Sequence, residues 1–318
     1  MTDLDSSAPA GTIEAGVTAA PGGESFAIAG GAGTIATAAP PGQFSDNWRR
    51  FRRNKLAMLG LFMIFLVAMV AIFAPVLAPY NPLKQNLSAT LKGPSSAHWM
   101  GTDQNGRDQF SRIIFGSRIA FEVGVASIML AVVIGLVLGS LAGYLGRKWD
   151  SVIMRVADVF FAFPLLIGAI LFILVLGRGT VPVILALGVF SWATVGRLLR
   201  SSILSVREAE YIEAARSLGA GKFRIVTRHV LPNSLAPVIV YAAVSVGVAI
   251  VAEVSLAYLG AGPRADTADW GNMISAGQSF LGYKDFMWFF PSMAVVFTVL
   301  GFVFMGDGIR DALDPKLR

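Results

Sequence analysis

Three carboxylates, Glu208, Glu210 and Glu213, lie within five residues of one another between two long apolar segments. They alternate with Ala, Tyr and Ile, which is a composition that favours a helix. Such a helix has no nucleophile and base for covalent catalysis, but its carboxylates can pair with the cationic groups of another protein. A helix lying in the lipid headgroups is disfavoured, because the anionic inner leaflet repels carboxylates. The stretch indicates a surface for a soluble partner.

The rest of the chain has no residue set for metal, thiol or nucleotide chemistry. Cysteine is absent, which excludes disulfides and thiolate sites. His98 and His229 are the two histidines and lie far apart in the sequence, which argues against a histidine metal site. The nucleotide-binding pattern G-x-x-x-x-G-K followed by Ser or Thr does not occur. The chain therefore cannot bind ATP by a P-loop, and we expect no cofactor in it.

The composition places the chain in a membrane. It is 55% hydrophobic and 14% charged, whereas soluble domains average about 25% charged residues. The formal charge of +6 does not indicate nucleic acid, because the Lys and Arg residues lie at the ends of apolar segments, where orientation signals belong. Membrane lipid is therefore the expected surroundings, and no nucleic-acid partner is expected.

Six segments are apolar over the roughly 20 residues that a membrane helix needs. The expected fold is therefore an all-α polytopic membrane protein with six transmembrane helices. A basic patch at 48–55 precedes the first span and predicts that both termini are cytoplasmic, with 18 of the 26 Lys and Arg residues inside. The six predicted spans are Leu56–Ala78, Ile119–Tyr144, Val152–Leu176, Val181–Leu199, Leu235–Leu259 and Phe286–Gly306.

Four parts follow from this topology. Residues 1–44 are rich in Ala, Gly and Pro and predict a disordered cytoplasmic tail. Residues 45–118 comprise the basic segment, the first span and a long extracytoplasmic loop. Residues 119–307 form the transmembrane core, which includes the polar loop 205–232, and residues 308–318 form a cytoplasmic tail.

Two patterns within the spans predict contacts. The second span has a small residue at every fourth position, which allows another helix to approach closely. In the third span Arg155 and Asp158 share a helical face and are interpreted as a self-neutralising pair, before a break at Pro164. In the outer loop, Asp103, Asp108, Arg107 and Arg112 are placed to pair locally. The small residues of the second span are Ser127, Ala131, Gly135, Gly139 and Gly143.

The polar helix has definable ends. Ser205 and Glu208 have the spacing of a capping box, and Gly219 suits the position that follows a helix. The prediction is a helix over 206–218, roughly 20 Å long. Tyr211, Ala214 or Ala215, and Leu218 then fall on one face that other surfaces can approach. A second helical piece is expected over 222–229, ended by Pro232 before the fifth span.

These residues match a known family. Glu213-Ala214-Ala215-x-x-x-Gly219, followed at the right spacing by x-Leu231-Pro232, resembles the EAA loop of ABC importer permeases. His229 stands where that pattern has isoleucine, and Arg228-His229-x-Leu231-Pro232-Asn233 is similar to the dipeptide, oligopeptide and nickel branch. The run from Gly101 to Arg112 and the motif starting at Gly306 resemble the same branch. The separate first span and long outer loop look like its C-type subunit.

The resemblance implies a type I ABC importer half-channel in the bacterial cytoplasmic membrane. Its implied partners are a homologous second permease, two ATPase subunits and an extracytoplasmic substrate-binding protein. The implied ATPase-coupling residues are Tyr211, Glu213, Ala214, Ala215, Leu218, Gly219, Leu231 and Pro232.

Short peptides are the leading substrate class. Alternatives with the same machinery are a nickel chelate, glutathione or an oligosaccharide. An ion-coupled secondary transporter is a further alternative, which predicts inverted repeats and mid-membrane carboxylates. The residues of the substrate pathway stay unassigned, because packing explains Ser127, Trp192 and Ser245 as well as a pathway does.

Overall fold

The computed structural model describes residues 43–264 and 266–313, and this part of the chain is all-helical. The predicted tail before residue 43 and the segment after residue 313 lie outside the described residues. A 3₁₀ turn at Leu87–Ala89 and a π-helical turn at Val226–Val230 accompany the α-helices. The α-helices are α1 Gln43–Arg53, α2 Lys55–Ile72, α3 Ala74–Leu77, α4 Gln109–Leu145, α5 Arg147–Ala162, α6 Leu165–Leu176, α7 Thr180–Val206, α8 Glu210–Ser217, α9 Lys222–Ile225, α10 Leu231–Ser234, α11 Ala236–Tyr258, α12 Trp270–Gln278 and α13 Phe286–Leu313.

Five helices, α2, α4, α7, α11 and α13, are each long and apolar enough to cross a membrane. They correspond to five of the six predicted spans. The predicted third span is instead the pair α5 and α6, which is bent by 93° at a short break around Pro164. The bend arises because Pro164 lacks an N–H and its ring disfavours a helical conformation for the residue before it.

The direction of α4 and α7 shows that the bent pair crosses the bundle once. The small residues predicted in the second span are buried in α4. Gly135 lies against Val195, Gly139 against Gly196 and Gly143 against Ile203, so α4 and α7 run parallel. Parallel neighbours need a return crossing between them, and α5 with α6 supplies it. With the bent pair counted as one span, the described part of the chain contains six candidate crossings.

The remaining long helices pack antiparallel to their neighbours. α11 packs against α4 and α13, and α2 packs against α13 and α4. At one end of the bundle the amide of Asn54 donates to Asp311 at 3.0 Å, which brings the start of α2 to the end of α13. The end of α7 and the segment after it lie at the same end, beside α13.

The long loop 79–108 closes the opposite end. The Arg107 Nε–H donates to Asp103 at 2.7 Å, as the local pairing predicts. Asp108 caps α4 by accepting from the Ser111 amide at 2.7 Å, so α4 starts ten residues before the predicted span. The Arg112 guanidinium is buried and donates to the carbonyls of Pro82 and Thr267 at 3.1 and 2.9 Å. These bonds join the two loops of this end.

One predicted pair is wrong. Asp158 does not pair with Arg155 on its own helix; it accepts a hydrogen bond from the Arg197 guanidinium of α7 at 2.7 Å. Helical spacing identifies residues that share a face of one helix. Here Asp158 bonds instead to a side chain of α7, the helix that packs beside α5. A second bridge of the same kind joins Asp150 of α5 to Arg200 of α7, with 2.6 Å between Oδ2 and Nη2.

Candidate partner-docking surface

The polar helix begins four residues later than its capping box predicts. Ser205 does not cap a new helix, because α7 continues through Val206. Residues 207–209 then turn, with the amides of Glu208 and Ala209 donating to the carbonyls of Ser205 and Val206. The helix that follows is α8, Glu210–Ser217, and its cap residue Ala209 makes no side-chain hydrogen bond. Its eight residues span about 12 Å instead of the expected 20 Å.

The end of α8 agrees with the sequence. Gly219 has a φ of +80°, in the left-handed region that favours glycine. Its amide donates to the Arg216 carbonyl at 3.0 Å, and the Ala220 amide donates to the Ala215 carbonyl at 3.1 Å. These two bonds form a Schellman motif, which satisfies carbonyls that the helix end would leave unpaired.

A single side chain anchors α8 to the bundle. Ile212 has no exposed surface and packs in a cluster with Leu199 and Ile203 of α7 and with Ile225 and Val230 of the following turn. Burying an isoleucine of this kind stabilises the contact by about 1.5–3 kcal/mol. The Arg207 guanidinium donates to the carbonyl of Gly143 at the end of α4, at 3.4 Å, and ties the preceding turn to a second helix.

The opposite face of α8 is exposed and partly apolar. Tyr211 is 46% exposed and Leu218 is 88% exposed, with Ala214 exposed between them and Ala215 half-buried. Glu213 also lies on the surface. Phe223 of α9, which the sequence analysis did not select, is 82% exposed. Its signal in the sequence is a lone aromatic residue among charged neighbours, four positions after Gly219.

Leu231 and Pro232 position the loop instead of ending it. Leu231 packs against the Ile212 cluster. Pro232 lies at the start of α10, within a continuous helical run, so the prediction that it ends the second helical piece is wrong. The π-helical turn Val226–Val230 precedes it and joins α9 to α10 without a break.

The arrangement therefore offers a rigid knob with apolar tips and no catalytic chemistry. Among the described residues, no group of three or more His, Asp or Glu side chains is placed to hold a metal ion. Two exposed side chains, Leu218 at the end of α8 and Phe223 on α9, project from two short helices that are fixed by their buried side chains Ile212 and Ile225. Large apolar side chains exposed in this way mark a contact with another protein or with a membrane.

Solved structures share this fold. A structure described as an inward-facing conformation of the MetNI methionine ABC transporter matches with a TM-score of 0.54 at 20% identity. It covers 64% of this chain and 96% of its own. A second crystal form of that transporter matches with a TM-score of 0.53 at 21% identity and covers 64% of this chain and 97% of its own. The fold is thus that of a type I ABC transporter membrane domain.

Curated relatives match over most of both chains. A dipeptide transport system permease protein DppC of Alkalihalophilus pseudofirmus is 40% identical, over 86% of this chain and 90% of its own. An oligopeptide transport system permease protein OppC of Bacillus subtilis is 41% identical over the same shares. A glutathione transport system permease protein GsiD of Pectobacterium atrosepticum is 41% identical, over 85% of this chain and 90% of its own.

Two family models cover complementary parts of the chain. Residues 42–94, which hold α1, α2 and the start of the outer loop, match the N-terminal transmembrane domain of oligopeptide transport permease C. Residues 132–318, more than half of the chain, match the second model. They include α8 and α9, which form the candidate docking surface. The chain belongs to the family of binding-protein-dependent transport system inner membrane components.

Proposed function

We propose that this chain is the permease subunit of an ATP-driven importer of short peptides, and that α8 and α9 dock on an ATPase subunit. The observation that carries the proposal is the exposed pair Leu218, at the end of α8, and Phe223, on α9. The two helices are fixed to the bundle by their buried side chains Ile212 and Ile225. A membrane helix bundle has no packing reason to hold two large apolar side chains in water. A partner surface that covers them supplies one.

The relatives support peptides as the substrate class. Relatives named for dipeptides, oligopeptides and glutathione are similar to this chain at about the same identity. Glutathione is itself a tripeptide, so these three names share a chemistry: a short chain with an ammonium group and carboxylates. Nickel chelates and oligosaccharides lack this support. Glutathione is thus a second candidate within the same class.

The proposed assembly contains a homologous second permease, two ATPase subunits that bind ATP, and an extracytoplasmic substrate-binding protein. In this assembly the docking surface and both chain termini face the cytoplasm. The loop 79–108 and the segment 259–285 face the binding protein. The hydrogen bond between Asn54 and Asp311 joins the start of α2 to the end of α13. This contact supports placing both termini on one side of the membrane. The concentration of Lys and Arg around this end supports its cytoplasmic location.

Within the docking surface the residues have two roles. Tyr211, Ala214, Leu218 and Phe223 contact the ATPase, and Glu213 pairs with a cation on it. The others hold the shape: Ala215 lies half-buried beneath the helix, Gly219 ends it, and Leu231 and Pro232 fix the turn that follows. No enzymatic role is assigned to the chain itself.

The test is co-purification of the ATPase subunits with the permease in mild detergent. Leu218→Asp and Phe223→Asp are expected to reduce ATPase recovery at least about tenfold, because each places a charge in an apolar contact. Leu87→Asp is the matched control, since Leu87 is 75% exposed but lies in the loop at the opposite end. Full recovery of the ATPases with both docking variants would overturn the proposed docking surface.

Uptake in proteoliposomes tests the transport class. Peptide accumulation should require ATP on the side of the membrane where the ATPase subunits lie. It should persist when ion gradients are collapsed. Uptake that follows an ion gradient without ATP would instead identify a secondary transporter.

A further inference from the structure

One face of α7 carries polar residues along its membrane-spanning part. Ser191, Thr194, Arg197 and Ser201 follow one another at intervals of three, three and four residues, which places them on one side of the helix. Arg197 and Ser201 are exposed, and Ser191 and Thr194 are half-buried. A stripe of this kind faces either water or another protein, because lipid chains cannot hydrogen-bond to it.

The ion pair of this stripe lies within the membrane-spanning segment, near the end of the predicted span Val181–Leu199, and is open to its surroundings. Arg197 is nine residues from the end of α7, about 13 Å along the helix. Its side chain is 49% exposed and that of its partner Asp158 is 57% exposed. Charged side chains within membrane segments almost always face a bundle interior or a water-filled cavity. The pair therefore marks a face of this chain that is away from lipid.

The bend between α5 and α6 lies on the same face. The last four carbonyls of α5 have no partner within that helix, and Pro164 provides no N–H. The first turn of α6 has no side-chain cap. Non-helical backbone at membrane depth is tolerated where it is buried in protein or lines water. Residues 161–164 are exposed, so they are not buried within this chain.

A cavity of about 240 Å³ joins these features. Its wall includes Phe161 and Phe163 at the bend, Thr194 of α7, and Ser245 and Val248 of α11. The Arg197 guanidinium lies 4.2 Å from the centroid of the Phe161 ring. Because Phe161 also lines the cavity, it connects the ion pair to the cavity. Ser127 and Trp192, the other two residues considered for a pathway, are buried in the helix packing.

We propose that the α5–α6 bend, the polar stripe of α7 and the facing part of α11 form this chain's wall of the transport pathway. In this wall the Asp158–Arg197 pair contacts the charged termini of a passing peptide. The second part rests on the proposed function, because a short peptide carries one ammonium and one carboxylate end. A wall that presents a carboxylate and a guanidinium side by side, next to aromatic rings, matches such a zwitterion.

Cysteine labelling in the assembled transporter tests the wall. This chain has no native cysteine, so a single introduced thiol is its sole reactive site. Val248 on the proposed wall and Val133 on the apolar outer face of α4 are both 57% exposed. Val248 lies twelve residues from the start of α11 and Val133 twelve residues from the end of α4, and these two helix ends lie at the same end of the bundle. Val248→Cys and Val133→Cys therefore differ in surroundings and not in exposure or depth.

A membrane-impermeant, trimethylammonium-bearing methanethiosulfonate is the probe, because the thiolate forms only in water. We expect Cys at 248 to react at least about tenfold faster than Cys at 133, measured by mass shift of the purified chain. Equal slow rates would overturn the wall, and would mean that this face is sealed against the second permease or lipid. This comparison needs no peptide, so it stands or falls separately from the proposed function.

The double variant D158N/R197Q tests the peptide contact. It removes both charges together, so no unpaired charge is left behind. We expect ATP-driven uptake of a free dipeptide to fall at least about tenfold, while complex recovery and labelling at position 248 stay at wild-type levels. Wild-type uptake in this variant would overturn the contact. If the unaltered complex imports no peptide at all, the proposed function fails instead.

Discussion

Gly139 of α4 lies directly against the main chain of Gly196 of α7: a Cβ on Gly139 would stand 2.7 Å from the Gly196 carbonyl oxygen. Gly139 cannot gain a side chain here without moving a helix. The two helices are therefore held by close main-chain approach, which is how membrane helices associate when lipid is as apolar as their side chains.

Gly139→Ala is expected to destabilise the bundle by about 1–3 kcal/mol, because the added methyl group meets backbone and not a flexible side chain. The measurement is the thermal unfolding temperature of the purified chain in detergent. Gly93→Ala is the control, since a Cβ at Gly93 meets nothing within 4 Å. Equal unfolding temperatures for the two variants would contradict the close α4–α7 contact.

Arg112→Met should loosen the end of the bundle formed by the two outer loops. The Arg112 side chain is buried, donates to Pro82 and Thr267, and lies 3.8 Å from Asp103. Its removal leaves buried acceptors unpaired, which costs about 3–5 kcal/mol for a broken buried ion pair. Limited proteolysis is expected to cut the loop 79–108 faster in this variant.

Arg112→Lys keeps the charge but not the fork of donors, so partial loosening is expected. Wild-type resistance to proteolysis in both variants would show that these bonds do not hold the loops.

Gly219→Ala and Gly221→Ala form a matched pair in the docking loop. A Cβ at either position meets nothing within 4 Å, but only Gly219 has a positive φ. Alanine at 219 is expected to cost about 1–2 kcal/mol of local stability, because L residues are strained in the left-handed region. Hydrogen exchange of the α8 amides reports this directly, and should quicken in Gly219→Ala alone.

If both glycine variants exchanged at the same rate, the Schellman motif would not be what ends α8.

Asp285 is expected to make the segment before α13 acid-sensitive. Its Oδ1 accepts hydrogen bonds from the Gly282 amide at 2.8 Å and from Trp288 Nε1 at 3.1 Å, and these bonds lower the pKa of the carboxyl. A lowered folded-state pKa contributes stability above the unfolded value of about 3.9, and that stability is lost as the pH falls through the folded value.

Asp285→Asn should remove this acid-dependent part. The measurement is the fluorescence of Trp288, obtained as the difference between each protein and the same protein with Trp288→Phe. This signal is expected to change below about pH 4 in the wild type and to stay constant in Asp285→Asn. Overlapping curves would argue that the carboxylate contributes nothing there.

Sequence patterns predicted five of the spans and the close approach of another helix to α4, because both depend on local residue type. The stripe from Ser127 to Gly143 has a period that brings small residues to one side of α4. This pattern alone predicts that another helix can approach that side closely. The position of Gly219 was predictable for the same reason, since the left-handed conformation depends on that residue alone.

Features that depend on a third element were not predictable. Ser205 has the spacing of a capping residue, but α7 extends past it because Ile203 and Leu199 are buried against the loop that follows. Asp158 bonds to Arg197 because the packing of α5 on α7 places the two together, thirty-nine residues apart in sequence. The role of the individual docking residues stays a prediction that the co-purification experiment addresses.

Helix α4 is uninterrupted from Gln109 to Leu145, a length of about 55 Å. Near one end its Gly143 carbonyl is bonded to Arg207, just before α8, and near the other its Arg112 is bonded to both outer loops. A continuous helix resists bending over this distance and has no hinge at which a displacement is absorbed. The two ends of the bundle are consequently connected by one stiff helix, so a displacement at either end applies a force to the other.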